Sequence, residues 1–186
     1  MTLLGAFPGN PRDALAHLGG ATAFARYNIL RVPLDASDVG VLTTAVMTST
    51  PIFLSAGEVV TNLTFRSGAT GATTPTNYWF ALYDTATTPA LIAQSADQTT
   101  TAWAANTTKT LALTAAYTVT KSGYYWAAVM VTATTPPTLV GARYFPAMVA
   151  GERNLGQTSG SALAATAPAT IATPAAVQFA PLCVAT

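Results

Sequence analysis

The chain has 186 residues, 51% of them hydrophobic and only 8% charged, with a formal net charge of +1. That length suits one domain with an added arm, and the composition excludes both the disordered class and the basic footprint of a nucleic-acid binder. The apolar surplus is mostly Ala and Val in short runs, far from the roughly 20 apolar residues that cross a bilayer as a helix, so no membrane insertion is expected.

In chain order, residues 1–43 differ in character from the remainder and read as an N-terminal docking arm, with residues 44–186 as a β-sandwich domain. The opening Met1-Thr2-Leu3-Leu4-Gly5-Ala6-Phe7-Pro8 has no basic n-region and too short an apolar core for a signal peptide. Asn10, Pro11 and Gly19 or Gly20 carry the punctuation of one short helix: an N-cap, a first-turn proline and a terminating glycine. On that helix His17 stands four residues after Asp13, and a surface pair is expected there in preference to an oriented general base. Residues 27–34 read as extended chain, because Pro33 holds Val32 out of helical space.

Strand signals then follow closely. Residues 45–54 form the first candidate, with Pro51 marking an edge or a bulge. Residues 55–58 make a turn. Val59, Thr61, Leu63 and Phe65 alternate with Val60, Asn62, Thr64 and Arg66, the pattern of a half-buried strand. Tyr78, Phe80 and Leu82 interleave with Trp79, Ala81 and Tyr83, so both faces are apolar and the strand is central or doubly covered. Residues 90–95 follow, then a polar loop over 96–108 holding Trp103. Leu111 and Leu113 mark the next strand. Residues 124–133 make the strongest one, ended by Pro136-Pro137. Residues 139–149 and 177–184 supply the last strands, separated by a Gly/Ser/Ala/Thr loop over 150–174 that is expected on the surface or against a partner.

Seven or eight short strands without a helical period predict an all-β fold, an antiparallel β-sandwich of jelly-roll type, with an immunoglobulin-like sandwich as the alternative. Thr in place of Lys and Glu keeps strand propensity high on outward faces but leaves edges poorly guarded. Contacts between copies would cover them, so homo-oligomers such as trimers are expected.

Chemistry is sparse. Cys183 stands alone in an apolar run and reads as a small buried residue of the last strand. With one His and one Cys, no metal site is expected. The acidic residues Glu58, Asp84 and Asp97 fall at strand ends and in loops, where turn and capping roles are ordinary. No nucleophile elbow, phosphate loop or dinucleotide fingerprint is present, so neither catalytic residues nor cofactors are assigned and no enzyme is expected. Of the three tryptophans, Trp79 and Trp126 lie within strands and belong to core or interface. Trp103, in a polar loop, is the one candidate for a surface ligand contact, stacking on a sugar of a host cell-surface glycan.

The stretch Thr76-Asn77-Tyr78-Trp79-Phe80-Ala81-Leu82-Tyr83-Asp84 resembles a recurring segment of actinobacteriophage virion proteins. Leu91-Ile92-Ala93-Gln94-Ser95-Ala96-Asp97-Gln98-Thr99-Thr100-Thr101-Ala102-Trp103 does so as well. The resemblance continues through Lys109-Thr110-Leu111-Ala112-Leu113 to Gly123-Tyr124-Tyr125, and covers about residues 55–135. It implies a β-sandwich of the minor tail, head-fibre or capsid-decoration type and carries no functional residue across. A structural bacteriophage protein located in the virion is the expectation that follows. Its partners would be its own copies and the major capsid or tail proteins. A receptor-binding or carbohydrate-binding module on the phage surface is the alternative.

Overall fold

The computed structural model describes residues 24–29, 35–145 and 147–186, with residues 35–39 by backbone alone. The short helix expected over 10–20, with Asp13 and His17, lies outside the described residues. Among the described residues there is no helix, and all sheet pairing is antiparallel. The strands are β1 (Arg26–Tyr27), β2 (Asp35–Val41), β3 (Met47–Leu54), β4 (Val59–Arg66), β5 (Asn77–Tyr83), β6 (Leu91–Gln94) and β7 (Thr108–Thr118). They continue with β8 (Gly123–Thr132), β9 (Thr138–Arg143), β10 (Gln157–Ser159), β11 (Ala175–Ala176), β12 (Phe179–Pro181) and β13 (Cys183–Ala185). Thus β1 and β2, within the expected arm, are strands of the sheets.

Three sheets result, in the orders β1-β13-β4-β7, β11-β10-β3-β8-β5-β6 and β12-β9-β2. The pairings nest. β5 pairs with β6, β4 with β7, β3 with β8 and β1 with β13, as if one long antiparallel hairpin were wrapped around a core. Alternate rungs of that hairpin fall in opposite sheets, so the four-stranded and six-stranded sheets face each other in a sandwich-like arrangement. Between them lie Val60, Leu63, Phe65, Leu111, Leu113 and Cys183 from one sheet, and Ile52, Leu54, Phe80, Leu82, Ala127 and Val129 from the other. Burying each large side chain of this set stabilises by roughly 1.5–3 kcal/mol.

The first half of β4 departs from the expected phase. Val60 is fully buried and Val59 is 45% exposed, whereas Leu63 and Phe65 point inward as alternation requires. The ladder to β7 slips between Val60 and Asn62. There the N–H groups of Thr61 and Asn62 both donate to the Thr186 carbonyl at 2.7 Å. A bulge of this kind exchanges the two faces on either side of it.

The expected strand over 139–149 ends at Arg143, and the expected strand over 177–184 divides. Its first part pairs with β9 and its second with β4, while Leu182 between them donates its N–H to the Val140 carbonyl at 2.8 Å. Pro51 sits where β10 has ended, since β10 pairs only with Met47, Thr48 and Ser49, so its missing N–H leaves no ladder bond unmade. β1 is fastened by Asn28, whose side-chain N–H groups donate to Thr50 Oγ1 at 2.9 Å and the Pro181 carbonyl at 2.8 Å. The Asn28 Oδ1 accepts from the Cys183 N–H at 2.8 Å, and Arg26 pairs with Glu58.

The outer face of the six-stranded sheet is apolar too, carrying Met47, Trp79, Tyr83, Trp126 and Met130. Leu163, Ala167 and Ile171 of the 150–174 loop cover it. That loop therefore packs against its own body. Trp79 Nε1 donates to the Ala164 carbonyl at 2.7 Å and the Tyr83 hydroxyl to the Pro168 carbonyl at 2.9 Å. Gln94 donates to the Ala165 carbonyl at 3.2 Å and accepts from the Ala167 N–H at 2.6 Å.

Candidate interaction surface

The loop aromatic singled out from sequence turns inward. Trp103 is fully buried, with its ring 5.7 Å from Tyr78 and 5.6 Å from Phe80 and its Nε1 donating to the Thr107 carbonyl at 3.3 Å. The expectation of an exposed stacking ring is corrected: the polar loop 96–108 turns its tryptophan into the main core, beside Phe80. Ala72 donates its N–H to the Trp103 carbonyl at 2.8 Å, tying this loop to the one after β4. Trp79 and Trp126 are buried as well, under the covering loop.

The carboxylates with described side chains hold turns. Glu58 accepts from the Ser55 N–H at 2.8 Å and from Arg26. Asp84 Oδ1 accepts from the N–H groups of Ala86 at 3.0 Å and Ala90 at 2.9 Å. Asp97 Oδ2 accepts from Asn77 at 2.6 Å and from the Thr99 hydroxyl at 3.2 Å. Among the described residues no three of His, Cys, Asp and Glu stand close enough to hold a metal ion. No helix among them is long and apolar enough to cross a membrane. Cys183 is fully buried in β13, and burial pushes its thiol well above its ordinary pKa.

What the structure exposes is apolar and lies elsewhere. Phe145 is 87% exposed and Met148 86%, with Val149, Leu155 and Tyr124 also open to solvent. Phe145, Met148, Val149 and Leu155 belong to the chain that follows β9, while Tyr124 belongs to β8 and lines one groove with Phe145 and Leu155. Residues 147–155 are not a loose loop. The Glu152 carboxylate accepts from the Met148 N–H at 2.7 Å and the Val149 N–H at 3.4 Å, and Gly151 supplies the left-handed turn at φ +90°. The Tyr144 hydroxyl accepts from the Gly156 N–H at 2.8 Å. A Cβ at Gly156 would stand 1.9 Å from the Phe179 carbonyl oxygen, so the close chain crossing there needs glycine. Burial raises the Tyr144 phenol above its ordinary pKa against the opposing pull of backbone hydrogen bonds at Gly156 and Leu155. Arg153 lies across the rings, its guanidinium carbon 5.3 Å from the Tyr124 centroid and 5.7 Å from that of Trp126.

Between these side chains runs an open groove of about 420 Å³, walled by Tyr124, Tyr144, Phe145, Arg153 and Leu155. It shares Pro51, Tyr144 and Leu155 with a second, almost wholly apolar hollow of about 160 Å³ floored by Asn28, Ile29, Ala142 and Ala180. The sequence held one signal of this surface. Pro146 follows Tyr144-Phe145 within the expected strand 139–149, and an interior strand rarely carries proline. A strand that stops at Arg143 leaves Phe145, Met148 and Val149 with no ladder to place them on a buried face.

The outward side of the four-stranded sheet is different. There Thr64 and Thr110 share a cross-strand hydrogen bond at 2.8 Å, and Arg66 donates to the Thr108 hydroxyl at 3.1 Å. This is the threonine-rich, sparsely charged surface that the composition implied. No family model and no curated protein matches the chain.

Proposed function

We propose that this chain is a structural component of a bacteriophage virion, of the capsid-decoration, head-fibre or minor tail kind. In this reading it has a jelly-roll fold, docks through its N-terminal segment and oligomerises. The nested pairing of β1 with β13, β3 with β8, β4 with β7 and β5 with β6 supports the jelly-roll form over an immunoglobulin-like one. A jelly roll is one hairpin wrapped into two Greek keys, and it recurs in capsid and lectin domains. The resemblance of residues 55–135 to actinobacteriophage virion proteins supplies the setting.

The observation that carries association with another surface is the concentration of exposed large apolar side chains on the body at Tyr124, Phe145, Met148, Val149 and Leu155. Contiguous apolar surface on an otherwise threonine-rich exterior marks a place where another surface sits. The glycan-binding alternative loses its support, because the ring proposed to stack on a sugar is buried. Gold-labelled antibody against the chain should decorate a fixed position on phage particles, and truncation of residues 1–23 should leave a folded body missing from them. Particles that carry no label, or that incorporate the truncated chain at the full level, would refute the reading.

A further inference from the structure

The exposed apolar surface carries a projection beside a recess. Phe145 walls the groove and is still 87% exposed, and Met148, next to the groove-lining Ala147, stands out at 86%. The recess is the groove itself, about 420 Å³ and mostly apolar, sharing Pro51, Tyr144 and Leu155 with the neighbouring hollow. A surface of this form can mate with its own copy. Rotation about a two-fold axis sets each projection over the other copy's recess, and every contact is then made twice. A foreign partner would have to match projection and recess separately, whereas a second copy supplies both.

Charge and area point the same way. The groove's two charged residues are of opposite sign, Glu152 and Arg153, so two copies meet there without net repulsion. Both are already engaged, Glu152 on the N–H groups of Met148 and Val149 and Arg153 over the rings of Tyr124 and Trp126. Neither enters the contact as a bare charge. A bilayer surface would call for a basic rim, which one carboxylate and one engaged guanidinium do not make. A fully exposed aromatic side chain offers about 150–250 Å², so at the exposures of Phe145, Met148, Val149, Leu155 and Tyr124 the five together offer on the order of 600 Å². Two copies then bury about 1,200 Å², the lower end of the range for specific interfaces.

We infer that two copies of this chain pair about a two-fold axis at this groove, Phe145 of each copy packing against Tyr124 and Leu155 of the other. The inference rests on the proposed function in taking this surface as one that associates, and it names the partner and the symmetry. An interface of this size with few polar contacts suits a dissociation constant on the order of micromolar. Well below that concentration the chain is a monomer, and its fold does not depend on Phe145.

The test is sedimentation equilibrium of the full chain from below to well above micromolar concentration. A dimer mass should emerge as concentration rises, and the double variant Phe145→Ser with Met148→Ser, which alters only exposed side chains, should raise the dissociation constant about tenfold or more. A chain that stays monomeric, or one that reaches a trimer in place of a dimer, would overturn the inference, as would a dimer that the double variant leaves unchanged. A second measurement replaces Phe145 by photoreactive p-benzoyl-phenylalanine in an equal mixture of isotope-labelled and unlabelled chains. Irradiation should give mixed-isotope crosslinks to Tyr124 or Leu155 of the other copy, and crosslinks confined to any other face would again overturn it. The two proposals fail separately. A monomeric chain that still labels phage particles at a fixed position would remove the dimer alone, and a dimer through this groove that is absent from particles would remove the virion reading alone.

Discussion

The β3-β8-β5-β6 part of the six-stranded sheet is apolar on both faces, and the two faces are covered by different means. Inward, Tyr78, Phe80 and Leu82 meet the side chains of a second sheet, with Phe80 4.8 Å from the Phe65 ring and 5.6 Å from that of Trp103. Outward, Trp79, Ala81 and Tyr83 meet a loop that contributes only Leu163, Ala167 and Ile171 as apolar cover. A sheet spends its carbonyls on its own ladder and offers side chains to what it packs on. A loop has carbonyls to spare, and those of Ala164, Ala165 and Pro168 accept from Trp79, Gln94 and Tyr83. Amphipathic aromatics suit the second kind of cover, because their polar tips find acceptors there, whereas the hydroxyl of the inner Tyr78 is buried without a hydrogen-bond partner.

The largest expected effect breaks the inner side. Trp103→Ala should lower the unfolding free energy by about 3–5 kcal/mol, the usual cost of emptying an aromatic core site, read from urea denaturation. A loss below about 0.5 kcal/mol is the range of surface substitutions and would mean the ring is not part of the core. On the outer side, Ile171→Ala should cost about 2 kcal/mol, the low end for such a change, because a loop can settle into the vacated space. Hydrogen exchange sharpens the contrast. The Ile171 N–H bonded to the Pro89 carbonyl, and the Leu91 N–H bonded to Ala169, should exchange through local opening ahead of the amides of β8. Exchange of both sets only through global unfolding would make the loop an equal layer of the fold.

Much of the inner side was legible in the sequence, because alternation reports directly on which residues share a face. Residues 124–133 behave as read, with Tyr125, Ala127, Val129 and Val131 inside and Trp126, Ala128 and Met130 on the other face. The double apolar character of residues 78–83 correctly indicated a strand covered on both sides. The nature of the outer cover was not legible, since a Gly/Ser/Ala/Thr loop such as 150–174 has no period and gains its order from the sheet beneath it. Alternation also fails at a bulge, which is why Val59 and Val60 exchange places. Polarity of the flanking residues misled at Trp103, because a polar loop can fold over an end of the core and leave its one aromatic inside. The apolar surface around Phe145 went unread for a related reason: residues 144–149 look like a strand until the chain is seen to leave the sheet at Arg143.

Alkaline titration compares the two faces without mutation of either cover. Burial, then the hydrogen bond and charge of Tyr117, push the inner Tyr125 phenol up to about 12, and burial raises Tyr83 on the outer face as well. An unfolded tyrosine titrates near 10. Because folding raises these values, their contribution to stability is fully present below about pH 10 and is lost as pH rises through the folded value. The melting temperature should therefore fall from about pH 10 upward, and Tyr125→Phe should flatten that fall. If the loop opens locally, Tyr83 ionises with the fold intact, so a stepwise tyrosinate signal that Tyr83→Phe removes is expected. A single step coincident with unfolding would show both faces sealed alike.

The smallest expected effect on stability belongs to the third apolar region, which has no cover among the described residues. Phe145→Ser should change the unfolding free energy by no more than about 0.5 kcal/mol, as at ordinary surface sites. Its side chain is 87% exposed, so truncation leaves no cavity to collapse. The same serine in place of Phe80 would strand a void between two sheets. A loss of more than about 2 kcal/mol at Phe145 would place that side chain in the class of buried core sites. The exposed surface would then be a region that the chain itself folds onto, and the distinction between a packed face and a docking face would collapse at the one position where it is drawn most sharply.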